Sequence, residues 1–266
     1  MKFTGNLLKM RTQLDTPIQY SLAMEQGMLS MTGLLGKQIS IHFSGRINCI
    51  ACGKRTNKAF GQGFCYPCFA TAPENSDCIL RPELCQGHLG LGRDVAWELE
   101  NHVQPHVVYL AISSGLKVGI TRATQLPTRW IDQGAQQAIV LAEVPHRRLA
   151  GDIEVALKAH YSDKTNWQQM LKGQVTQDDL IAKKTEAASF LSNEFAPYIA
   201  PSNAIVTLDY PALDTPNKVT SLKLDKQPLI EGILTGIKAQ YLILDNTNVI
   251  NVRSHAGYHV SIEAQE

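Results

Sequence analysis

Two Cys-x-x-Cys pairs, Cys49/Cys52 and Cys65/Cys68, constrain this chain more than any other feature. Each pair is a tight knuckle that aims two sulfurs at one point, and twelve residues between the pairs let them meet around one ion. Gly53 and Pro67 suit the turns. A tetrahedral Zn²⁺ with Zn–S bonds of about 2.3 Å is expected to staple a loop too poor in apolar residues to fold alone. Four sulfurs leave no open coordination position, so the expected role is structural. A dithiol redox centre is the rival reading. Such an enzyme usually carries one pair at a helix start after a strand, whereas these two pairs sit in Gly- and Pro-rich loops.

Cys78, Cys85 and His88 supply three ligands of a candidate second metal site, its fourth to come from Asp77, His42, His102 or His106. Buried cysteines acting as small hydrophobes explain the same residues. The N-terminus carries no apolar run of signal-peptide kind, and no 18-residue apolar stretch exists. A cytoplasmic protein with no membrane partner is therefore expected, and reduced thiols favour metal over disulfides. The 266 residues, 44% hydrophobic and 18% charged, can bury a core in one large or two smaller domains. The net charge of +1 says little, but residues 1–70 hold eight Lys/Arg against two Asp/Glu. That surplus suits a phosphate backbone, and equally a solvated surface.

Residues 1–48 read as an N-terminal β segment, with Ile39-Ser40-Ile41-His42-Phe43 alternating apolar and polar. Residues 49–92 hold every cysteine and form the zinc-binding segment. Residues 105–200 read as a mixed core. It holds a hairpin broken at Ser113-Ser114-Gly115, a helix near 126–132 and a strand at 138–144, then helices near 147–161 and 177–194. Residues 201–266 return to strands, at 204–208, 229–237, 241–244, 249–252 and 259–262. Gly33-Leu34-Leu35-Gly36-Lys37 and Gly232-Ile233-Leu234-Thr235-Gly236-Ile237-Lys238 share a pattern. It predicts that 201–266 packs with 1–48 as a small β-barrel-like frame into which the central units are inserted. The expected class is α+β.

Side chains alternate faces along a strand, so Tyr109 and Lys117 on paired strands are expected to face one cleft. Arg129 follows in the short helix and Glu154 in the next. This order resembles the GIY-YIG nuclease superfamily over about residues 105–172. Val107-Val108-Tyr109 stands at the first tripeptide and Lys117-Val118-Gly119 at the second, with Arg129 at the helix-borne arginine and Glu154 at the metal-binding glutamate. The whole chain, through Arg129-Trp130-Ile131-Asp132-Gln133-Gly134-Ala135 and Asp163-Lys164-Thr165-Asn166-Trp167, looks like an uncharacterised bacterial family assigned to that superfamily. The resemblance implies nucleic-acid binding with metal-dependent phosphodiesterase activity. In that scheme Glu154 holds Mg²⁺ or Mn²⁺ and Arg129 binds phosphate, while Tyr109 or Lys117 orients or deprotonates the water. Lys117 in place of tyrosine implies either a modified base or an inactive domain that keeps phosphate binding.

Lys54, Arg55, Lys58, Phe60 and Tyr66 surround the knuckle, a composition that suits DNA or RNA. Arg122 and Asn166 are further candidate contacts, and His146, Arg147 and Arg148 open the glutamate helix as cations for an anionic partner. Ordinary roles compete with these. Tyr109 can pack near Ala156 and Leu157, and Lys117 can cap an exposed hairpin strand. Arg129 can pair with Asp132 and Glu154 with Lys158 along a helix, and Asp163 or Thr165 can cap the next helix. The alternative class is a non-catalytic zinc adaptor for nucleic acid or protein, built on a degenerate GIY-YIG scaffold.

Overall fold

A computed structural model describes residues 1–162 and 164–265. They form two compact units, Met1–Ala70 with Leu208–Glu266, and Thr71–Thr207, so the second interrupts the first in sequence. The class is α+β.

The chain opens with β1 (Lys2–Asn6), β2 (Arg11–Gln13), β3 (Gln19–Met24), β4 (Gly27–Ser30) and the long β5 (Gln38–Asn48). The two-residue β6 (Arg55–Thr56) and α1 (Tyr66–Thr71) follow in the cysteine-rich stretch. In β5 the predicted alternation holds, with Ile39 and Ile41 buried and His42 exposed.

The second unit begins with 3-10 turns and α2 (Val95–His102), a helix that the sequence reading does not anticipate. Asp94 caps it, accepting from the Trp97 amide at 3.0 Å. Next come β7 (His106–Ile112), β8 (Leu116–Arg122), α3 (Thr128–Asp132), β9 (Gln137–Val144), α4 (Arg147–Leu157), α5 (Trp167–Leu171), α6 (Leu180–Ser189) and β10 (Ile205–Thr207). The sheet order is β10-β9-β7-β8, with β7 antiparallel to both neighbours. Every residue of β7 is buried, as expected of a central strand covered on both faces. One face carries Val108, Leu110, Ile112, Val118 and Ile120, packed on Ala150, Ile153 and Leu157 of α4 and on Leu180 and Ala187 of α6. Full burial of such a Leu, Ile or Val is worth ~1.5–3 kcal/mol, so this stripe fixes which face of α4 turns inward. β7's other face, bearing Tyr109, is left for the candidate site.

The chain then returns to the first unit through β11 (Thr220–Ser221), β12 (Leu229–Lys238), β13 (Tyr241–Leu244), β14 (Asn248–Asn251) and β15 (Tyr258–Ala264). The large sheet runs β1-β15-β5-β12-β13-β14-β11, with β6 on β5, and β2-β3-β4 form a separate sheet. The two Gly-punctuated segments meet: the Gly36 amide donates to the Leu234 carbonyl at 2.8 Å, and the Leu234 amide to the Lys37 carbonyl at 3.0 Å. The barrel expectation is corrected, because among the described residues the large sheet is open from β1 to β11. Closure needs two end strands with matched tilt and stagger, and β11 offers only Thr220 and Ser221, which pair in parallel with β14. The strand at 205–207 pairs with β9 of the second unit. No helix among the described residues is long and apolar enough to cross a membrane.

Candidate functional site

The knuckle assembles at the end of β5. The ligand atoms of Cys49, Cys52, Cys65 and Cys68 all lie within 4.8 Å of one another, and Cys52 Sγ is 3.8 Å from Cys65 Sγ. A tetrahedron with Zn–S bonds of about 2.3 Å has S–S edges of about 3.8 Å, so the cluster is compatible with structural zinc. Gly53 turns the first knuckle with φ +70° and donates its amide to the Cys49 carbonyl at 2.9 Å. Burial works to raise the Cys49 thiol, but the amides of Cys52, Cys65 and Ala51 hydrogen-bond its sulfur and bring it down to about 6. Contacts with the Cys65 and Cys52 sulfurs push Cys68 up to about 12. Sulfurs crowded this closely cannot all ionise without a cation among them. Around the cluster Lys54, Arg55 and Lys58 are exposed, and Lys58 Nζ sits 5.2 Å from the Phe60 ring centre. Tyr66 touches Phe60 edge-on at 5.4 Å yet remains 64% exposed.

In the second unit, Tyr109 pairs across the hairpin with Gly119, and Lys117 with Ala111, which sets Tyr109 and Lys117 on one face of the sheet. Gly119 is there for room. A Cβ on it would lie 2.6 Å from the Tyr109 hydroxyl and 2.8 Å from Cζ. Tyr109 is 0% exposed, donates to Gln133 Oε1 at 2.9 Å and meets Trp130 of α3 edge-on at 6.0 Å. Burial raises its phenol above the ordinary range. The Arg129 guanidinium, close enough to hydrogen-bond the hydroxyl, opposes that rise, and the Glu154 carboxylate adds to it. Tyr109, Arg129 and Glu154 therefore share one electrostatic neighbourhood. Lys117 is 4% exposed, and its Nζ donates to Thr165 Oγ1 at 3.0 Å, in a segment that also bonds Ser113 and Ser114 at the hairpin turn. Glu154 is buried on α4, with Lys158 Nζ 3.4 Å from its carboxylate.

Several sequence-based expectations change here. Lys117 is not an exposed strand cap, because the segment after α4 lies along β8, with the Val118 amide donating to the Ser162 carbonyl at 3.0 Å. Asn166 accepts from the Gln168 and Gln169 amides through its side-chain oxygen and so is the N-cap of α5, the ordinary role that competed with a phosphate contact. Asp163 lies outside the described residues. Arg122 is half-buried and donates to Asn101 Oδ1. His146 caps α4, Arg148 pairs with Asp152 at 2.9 Å, and Arg147 is turned inward onto the Cys78 and Ile79 carbonyls. His88 is not grouped with Cys78 and Cys85; its ring stacks on His146 at 4.7 Å. The two cysteines are met instead by Glu98 and His102 of α2. An acid and a histidine four apart are one helical turn apart on one face, a signal that becomes readable once α2 is recognised as a helix.

The model of a family described as "Protein of unknown function (DUF2797)" matches residues 36–260. No curated protein and no solved structure matches the chain.

Proposed function

The chain belongs to the DUF2797 family, and from that premise we propose that it binds nucleic acid and cleaves phosphodiester bonds with a divalent metal. The observation that carries this reading is the shared neighbourhood of Tyr109, Arg129 and Glu154, with Lys117 on the same face of the hairpin. It is the order of groups that the GIY-YIG resemblance implies. A lone carboxylate completed by waters and substrate oxygens is how Mg²⁺ is usually held, and Glu154 fits that role if Lys158 releases it. The bound Mg²⁺ or Mn²⁺ would supply charge neutralisation at the phosphate. Arg129 presents a planar fork to phosphate oxygens. Tyr109, held by Gln133, positions Arg129 rather than acting as base, since its phenol is raised and enclosed. Lys117 is then the group to orient water. The exposed Lys54, Arg55, Lys58 and Tyr66 supply a basic and aromatic surface for the polynucleotide.

The complete burial of Tyr109 and near-complete burial of Lys117 favour a second reading, a zinc adaptor that binds nucleic acid without cutting it. The deciding experiment is Mg²⁺- or Mn²⁺-dependent cleavage of single-stranded, duplex and structured DNA and RNA. Glu154→Gln and Arg129→Ala should each lower turnover by about 10²–10³ while the protein stays folded by circular dichroism. Cleavage undiminished in both variants sinks the assignment of the site. Binding without cleavage of any substrate selects the adaptor.

A further inference from the structure

Away from the knuckle, a second group of ligand-type side chains converges inside the unit Thr71–Thr207. Cys78 and Cys85 come from successive 3-10 turns, and Glu98 and His102 from one face of α2. All four are buried, and one ligand atom of each lies within 4.8 Å of the others. His102 Nδ1 is 3.8 Å from Cys78 Sγ and 3.6 Å from Cys85 Sγ, and it touches Glu98 Oε2. In a tetrahedral site with Zn–S near 2.3 Å and Zn–N near 2.0 Å, the S–N edge is about 3.5 Å. We propose that Cys78, Cys85, Glu98 and His102 form a second, four-coordinate zinc centre, structural in kind, that pins the loop carrying both cysteines against α4. This does not depend on the cleavage reading.

Ligand chemistry selects the metal. Two thiolates and an imidazole disfavour Mg²⁺ and Ca²⁺, which take oxygen, and two cysteines with one histidine match neither the four cysteines nor the two-cysteine, two-histidine set that holds iron–sulfur clusters. Four protein ligands, none exposed, leave no position for substrate. The surroundings are built to hold thiolates. Ser76 Oγ lies 3.2 Å from Cys78 Sγ, and the Gly87 amide hydrogen-bonds the Cys85 sulfur. Gly87 and Gly92 let their loop close over the site, since a Cβ on Gly92 would lie 2.4 Å from Glu98 Cγ. Two thiolates, a carboxylate and Zn²⁺ sum to one negative charge. Arg147, at the start of α4, balances it: its Nε and Nη2 donate to the Cys78 carbonyl at 3.0 and 2.9 Å, and Nη2 also reaches the Ile79 carbonyl at 2.9 Å. The same loop rides on α4 at Gly151, where a Cβ would meet Glu83 N at 2.4 Å. Arg147, Gly151 and Glu154 lie on one stripe of that helix, so the metal would brace the segment that carries Glu154.

The test starts from the wild-type full chain made without a histidine tag. Elemental analysis should give about two equivalents of zinc. X-ray absorption at the zinc edge should report an average of about three sulfurs and one nitrogen or oxygen per metal, the mean of an S₄ and an S₂NO site. Cys49→Ser/Cys52→Ser should keep one equivalent with two sulfurs. Cys85→Ser should keep one with four. Should Cys85→Ser fail to fold, the wild-type measurement still decides. One equivalent bound by four sulfurs in the wild-type protein overturns the proposal and leaves Glu98–His102 as a plain buried ion pair. A second equivalent of any other metal overturns its assignment to zinc.

Discussion

Gly119 shows how a single hydrogen atom sets the candidate site. The Tyr109 ring lies across the hairpin over Gly119, and a methyl there would overlap the hydroxyl. Gly119→Ala is expected to destabilise the protein by ~1–3 kcal/mol, as overpacking does. Adding Tyr109→Phe should restore part of the loss. Urea unfolding of the two single variants and the double variant checks this, and additive losses would mean that the two residues do not meet. Lys238 makes a prediction about pH. Burial lowers its ammonium to about 8, so between about 8 and its ordinary 10.5 the unfolded chain binds the extra proton. Stability from this group is therefore reduced below pH 8 and rises with pH across that window. Lys238→Met should be the more stable protein at pH 7, by roughly 1–3 kcal/mol, with the advantage shrinking toward pH 10. Melting curves of both proteins from pH 7 to 10 test it; a constant difference refutes it.

At the scale of elements, α4 joins what the chain separates. Its apolar stripe faces the sheet, its Arg147–Gly151–Glu154 stripe faces the cysteine loop and the candidate site, and Arg147 alone satisfies two carbonyls of that loop. Arg147→Met should cost ~2–3 kcal/mol, because those carbonyls lose a charged donor in a buried place. Hydrogen exchange should speed up in residues 78–85 before it does in β7; uniform acceleration would mean that the clamp is not local. The hairpin and β9 were readable in the sequence as near-continuous apolar, β-rich runs broken by turn residues, and α4 as a period-3.6 apolar stripe. α2 was not readable, since its inward face carries Glu98 and His102 where an apolar stripe would announce a helix. The cysteines of the second cluster could be read, but their partners could not, because the third and fourth ligands depend on how that helix docks. The burial of Tyr109 was hidden for a related reason: a strand's sequence does not say whether a helix covers its second face.

For the whole chain, the basic surplus of residues 1–70 is the property that a polyanion would sense. Binding of a single-stranded oligonucleotide should weaken with salt, log K falling linearly against log[salt] with a slope of roughly −0.7 per phosphate neutralised. Reversing the charges of Lys54, Arg55 and Lys58 together should flatten that slope. Fluorescence anisotropy over a salt series measures it, and an unchanged slope removes the knuckle from the binding surface. The placement of the inserted unit also sets a timetable for synthesis. β5 takes its two long neighbours from β12 and β15, both made after the insertion. About 180 residues separate the end of β5 from the start of β12, which at ribosomal speed is roughly 10–40 s of waiting. Meanwhile Thr71–Thr207, contiguous in the chain, has all its own partners in hand. A nascent β5 thus emerges with both flanks open except at Ile47 and Asn48, which β6 meets, and the exposed His42, Ser44, Gly45 and Arg46 are the kind of residues that keep such a ribbon from pairing with its neighbour on the next ribosome.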